Sequence, residues 1–144
     1  LPPINFTKLV IQRVSDTVSK FTAVPWKERD EEMKEVMIAE TMGMQGSCWF
    51  MKKSWWDKVI IELQTKGYGQ LIQDSTEMIF KTWKAGGKMM LNKNTWHAHR
   101  HRSFGRKHNN GTPENPANQD AGYKYAIDVW GNYYKDEIVP KWKI

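Results

Sequence analysis

A mixed α/β fold is predicted by three features of the sequence. A short apolar run bounded by turn residues lies at 47–51, a helical pattern after it ends at Gly67, and a second helical pattern from Asp74 ends at Gly86-Gly87 before another apolar run. Strand, then helix, then glycine, repeated, is the alternation of α/β chains. At 144 residues the chain makes one domain or half of a larger one. The expected division is a lead-in strand and helix over 1–40, an α/β core over 41–106, a mobile loop over 107–122, and a C-terminal helix with its tail over 123–144.

Residues 6–21 carry Leu9, Val10, Ile11, Val14 and Val18 with mixed periodicity, which allows a strand, a turn and a short helix. A solvated charge run then opens a helix, because Met33, Val36 and Met37 recur at helical spacing through Glu40 until Gly43 and Gly46 break it. Ser47-Cys48-Trp49-Phe50-Met51 reads as a buried strand, with Cys48 a buried thiol. Ser54 and Asp57 have capping-box spacing, and they open a helix through Trp55, Trp56, Val59, Ile60 and Leu63. Asp74 or Ser75 caps the next helix, whose apolar face is Met78, Ile79 and Trp83, and residues 88–96 follow as a strand. Between 108 and 121 the chain is rich in Asn, Gly and Pro and predicts a loop. Tyr123, Ala126, Ile127, Trp130, Tyr133 and Tyr134 then mark an amphipathic helix that must dock on an apolar surface.

A net charge of +6 favours anionic partners such as nucleotide phosphates or nucleic acid. The single cysteine excludes an internal disulfide framework and points to a reducing, cytoplasmic setting. No apolar stretch approaches the roughly 18 residues that a spanning helix needs. Eight tryptophans in so short a chain suit either core packing or the stacking of sugars or bases.

Two clusters carry groups suited to chemistry. Asp74 and Glu77 are three apart at a helix start, where the dipole favours their ionised forms, and either can accept a proton or hydrogen-bond a hydroxyl; ordinary capping is the other reading. His97, His99 and His101 alternate, so a strand would place them on one face. Their Cα atoms would then be roughly 7 Å apart in succession, which suits one ligand to an ion better than three. Arg100, Arg102, Arg106 and Lys107 form a basic patch suited to a diphosphate or a nucleic-acid backbone.

The run from Thr41 through Gly46, Cys48, Trp49 and Phe50, then Gly67-Tyr68-Gly69, then Asp74, Glu77, Phe80, Trp83 and Gly86-Gly87, then Thr95-Trp96 and His99, resembles the second half of GT-A glycosyltransferases of family 2 type. The order and spacing are similar to those of the polypeptide N-acetylgalactosaminyltransferases, and more closely to bacterial and phage glycosyltransferase-like proteins. The resemblance implies the C-terminal half of a Rossmann-like GT-A domain that moves a sugar from a nucleotide-sugar donor to a hydroxyl acceptor, whether glycan, protein or modified DNA. It implies that Gln45, Gly46 and Ser47 line the donor sugar, with Trp49, Tyr68 and Gly69 also substrate-binding, and that Arg100 and Arg102 meet the diphosphate. Asp74 is then the catalytic or sugar-binding carboxylate, supported by Glu77, and His99 completes the coordination of a divalent cation, Mn²⁺ or Mg²⁺.

The family's first half, a nucleotide-binding unit ending in Asp-x-Asp, is not matched, since no two aspartates here stand two apart. With Leu1-Pro2-Pro3 at the start in place of an initiating Met, the expectation is a fragment whose partner is the N-terminal half of the same enzyme. A basic nucleic-acid-binding module without catalytic activity is the competing reading, and a His-Asn metal nuclease a more distant one.

Overall fold

Residues rich in β-branched and aromatic side chains between Thr7 and Pro25 fold as an antiparallel hairpin, β1 (Thr7–Arg13) and β2 (Ser19–Pro25), with Leu9 opposite Ala23 and Ile11 opposite Phe21. The computed structural model describes residues 5–44, 46, 48–62, 68, 72–95 and 116–144. After the hairpin come α1 (Lys27–Glu32), β3 (Ile38–Glu40), α2 (Lys53–Trp55) running into a π-helical turn (Trp56–Ile60), and α3 (Asp74–Lys84). The chain continues through β4 (Met90–Asn92), α4 (Pro116–Tyr133), a second π-helical turn (Tyr134–Ile138) and α5 (Val139–Trp142). The chain is therefore mixed α/β, with two separate two-stranded antiparallel sheets, β1–β2 and β3–β4. Among the described residues no helix is long and apolar enough to cross a membrane.

The core forms where the inward face of the hairpin meets α3 and α4. Phe21 lies edge-on to Phe80 at 4.9 Å and to Tyr134 at 5.4 Å, and Phe80 stacks on Trp130 at 5.4 Å. Such pairs contribute about 0.5–1.5 kcal/mol each beyond the area they bury. The Tyr134 hydroxyl donates to the Leu9 carbonyl at 2.8 Å, so the C-terminal helix is tied to the first strand by a directional bond inside an apolar contact. The wide turn at Tyr134–Ile138 precedes Pro140, which has no N–H to give and whose ring crowds the carbonyl four residues earlier.

Packing accounts for several of the tryptophans. Trp26, Trp83 and Trp130 are buried, and Trp142 lies edge-on to Trp26 at 5.5 Å. The Arg29 guanidinium sits over Phe6, Trp26 and Trp142 at 5.7, 5.9 and 5.7 Å and pairs with Glu32 at 2.9 Å. A cation over three rings joins the start of the chain to its end.

Several local expectations are corrected by tertiary context. The helix expected through Glu40 stops at Glu32, because Lys93 donates to the carbonyls of Met33 and Lys34 and residues 38–40 pair with β4 instead. The run at 48–50 is not a buried strand: Cys48, Trp49 and Phe50 are exposed and pair with no strand among the described residues. Ser54 lies inside α2, not at its cap, and Asp57 is taken by Lys53 at 2.5 Å, so no capping box forms. Of the strand expected over 88–96, the described part, 88–95, is a strand only at 90–92, since a turn follows at Lys93-Asn94. Residues 116–121, expected in the loop, are helical, with Pro116 at the position of the first turn where a missing N–H is not needed. The amphipathic C-terminal helix is present as expected.

Candidate functional site

The first turn of α3 is where the sequence-predicted groups can be compared with their placement. Neither Asp74 nor Ser75 is its cap. Gln73 holds that position with φ 57, a left-handed conformation uncommon for a side chain with a Cβ, and Asp74 is the first helical residue. The strained backbone is held by the Gln73 carboxamide, whose Oε1 accepts from the Phe21 N–H and whose Nε2 donates to the Phe21 carbonyl, each at 3.2 Å. The helix start is thereby fastened to β2.

The two acidic residues of this turn have different surroundings. Glu77 is buried and its carboxylate pairs with Lys81 one turn on at 2.9 Å, so it does not return to the backbone as a capping-box residue would. Lys81 also donates toward the carbonyls of Ile60 and Ile61 at 3.5 and 3.4 Å, which links the pair to the end of the first π-helical turn. Asp74 is half-buried, and its carboxylate has no hydrogen bond or ion pair among the described residues. One carboxylate is committed to structure and its neighbour is available to a ligand.

Tyr68 completes the cluster. It is 1% exposed, its ring meets Tyr125 edge-on at 4.8 Å, and its hydroxyl makes no hydrogen bond of ordinary geometry among the described residues. Burial raises the phenol well above its ordinary pKa, the Glu77 carboxylate raises it further, and the Trp130 side chain works the other way. The Trp130 indole N–H is also buried and has no hydrogen-bond partner among the described residues, and Lys84 lies over its ring at 5.8 Å. α4 reaches this cluster through Gly122, where a Cβ would stand 2.5 Å from Ile72 Cγ2 and 2.9 Å from the Tyr68 carbonyl oxygen.

Gly46 also comes to the same place. A Cβ built at this position would lie 3.7 Å from Ser75 Cβ, so Gly46 stands beside the first turn of α3. Tyr68 reaches the same helix at Glu77. Trp49 does not join them in the described contacts; its ring stacks on Trp56, 5.9 Å away and 3° from parallel. Gln45, Ser47, Gly69, His99, Arg100 and Arg102 lie outside the described residues. Among the described residues no group of three His, Cys, Asp or Glu side chains is placed to hold a metal ion.

Three residues that matter here were not singled out by sequence reasoning: Gln73, Lys81 and Gly122. Lys81 had a readable signal in its i,i+4 spacing from Glu77. The others act across long sequence separations that no local pattern reports. Comparison with protein families, with curated proteins and with solved structures returned no match.

Proposed function

We propose that the chain is the C-terminal part of a GT-A glycosyltransferase catalytic domain, which together with a nucleotide-binding half transfers a sugar from a nucleotide-sugar donor to a hydroxyl acceptor. The observation that carries this reading is the position of Gly46 beside the first turn of α3, where the half-buried Asp74 carboxylate has no partner among the described residues. The resemblance gives the loop to the donor sugar and Asp74 the role of catalytic or sugar-binding carboxylate.

In this reading the acceptor oxygen bonds to the anomeric carbon as the bond to the diphosphate breaks. Asp74 takes up the hydroxyl proton or holds a sugar hydroxyl in place. Glu77, through Lys81 and Tyr68, keeps the turn bearing Asp74 in position. Arg100 and Arg102 are assigned to the diphosphate by the resemblance, and His99 to a divalent cation, which when bound would offset charge gathering on the leaving group. The β3–β4 sheet supports a missing partner half. It has only two strands, a size marginal by itself, and its outer face carries Ile38 and Met90, each 53% exposed.

The test is a thermal-shift series on the full-length protein with a panel of nucleotide sugars, each with and without Mn²⁺. One donor should stabilise the fold only with the metal, by about 2.7 kcal/mol at a hundredfold excess over its Kd. Donor-independent melting, coupled with salt-sensitive binding of nucleic acid, would replace the transferase by the binding module.

A further inference from the structure

Phe50 is 91% exposed, the most exposed of the large apolar side chains described. It stands between Trp49, 41% exposed, and half-buried Met51, on the segment that leads into α2. Two adjacent exposed aromatic rings before a helix start are costly to leave in water, and Phe50 takes no part in the core formed by the described residues. Behind them the Trp49 and Trp56 rings lie parallel at 5.9 Å, which gives the projecting segment a firm base. Lys52, Lys53 and Lys58 follow at once and are all exposed. Lys53 is neutralised by Asp57, but Lys52 and Lys58 have no ion pair among the described residues.

We propose that this segment is an interfacial anchor, with Phe50 and Trp49 entering the headgroup boundary of a lipid surface and Lys52 and Lys58 meeting anionic headgroups. Indole and phenyl rings favour that boundary, and exposed lysines close in sequence to such rings add attraction to anionic headgroups. The chain's net charge of +6 acts in the same direction. Single-stranded nucleic acid is the other anionic partner that aromatic rings attract, but it is bound by rings that sandwich or pave its bases. Phe50 has no aromatic neighbour within stacking distance among the described residues, and one face of Trp49 is already covered by Trp56. A projecting ring without a neighbour suits insertion, not stacking. The inference does not rest on the transferase reading.

The experiment is co-sedimentation of the full chain with vesicles of phosphatidylcholine alone and of phosphatidylcholine mixed with phosphatidylserine, with tryptophan emission recorded in parallel and a labelled single-stranded oligonucleotide as a separate arm. The anionic vesicles should bind the chain and blue-shift its emission, and added salt should weaken binding. Phe50→Ser should lower partitioning about tenfold at an unchanged melting midpoint, since its ring contributes nothing to the core. Lys52→Glu with Lys58→Glu should remove the preference for anionic over neutral vesicles. The proposal is overturned by absent vesicle binding, by equal binding of Phe50→Ser and the parent, or by an oligonucleotide affinity that falls with Phe50→Ser while vesicle binding does not.

Discussion

Gln73 grips the main chain of Phe21 at both its N–H and its carbonyl, 52 residues away in sequence, and this two-point contact sets where α3 begins. The left-handed backbone at Gln73 costs on the order of 1 kcal/mol, and the clamp offsets it. Gln73→Ala should therefore destabilise the protein by about 2 kcal/mol, since it keeps the strained φ and leaves two partly buried main-chain groups of Phe21 unpaired. Gln73→Gly should cost less, because glycine adopts positive φ without penalty. Urea unfolding at constant slope measures both, and a larger loss for glycine than for alanine would contradict this account.

Gly122 lets α4 approach Tyr68 and Ile72. Alanine inside a helix is normally favoured over glycine by about 1 kcal/mol, but here its methyl would meet a backbone oxygen that cannot swing aside. Gly122→Ala should lower stability by about 1–3 kcal/mol and loosen the packing of Tyr68 on Tyr125. A gain in the thermal midpoint would show that the helix can shift at little cost.

Tyr68 places a phenol beside a buried carboxylate without a bond of good geometry to satisfy it. Tyr68→Phe removes that polar atom, so stability at neutral pH should be unchanged or rise by about 1 kcal/mol. The pH dependence has a definite sign. With its folded-state pKa raised, the phenol's contribution is intact below the unfolded value of about 10 and is lost as pH rises above it. The variant should unfold at higher alkaline pH than the parent, with the remaining loss due to Tyr133 and Tyr134, which burial also raises. Identical alkaline unfolding curves would remove Tyr68 from this role.

The two carboxylates should separate in stability as well as in activity. Glu77→Gln breaks a buried ion pair and strands Lys81, with an expected loss of about 2–3 kcal/mol. Asp74→Asn removes a charge that has no partner among the described residues, costs about 1 kcal/mol or less, and on the proposed transferase reading should abolish transfer by the full-length protein. Turnover retained in Asp74→Asn would take Asp74 out of the chemistry.

The sequence by itself determined the mixed α/β class, the helix from Asp74 that stops before Gly86-Gly87, and the amphipathic C-terminal helix. These are legible because periodic apolar faces and glycine stops act within a few residues. Gly46 and Tyr68, which the resemblance places among the substrate-binding residues, lie near α3 at Ser75 and Glu77 respectively, placements that only the tertiary structure shows. Which acid is free was not legible: Glu77 looked like a capping partner until Lys81 and burial claimed it. The tertiary structure alone decided that the run at 48–50 faces outward, that residues 33–40 end a helix and begin a strand, and that Gln73 caps α3. In each case the deciding partner lies far along the chain or is missing where composition expects one: β4 for residues 38–40, Phe21 for Gln73, and no pairing strand for Phe50 among the described residues. Local propensity differs by tenths of a kcal/mol per residue between such states, and a few long-range hydrogen bonds or buried rings outweigh it.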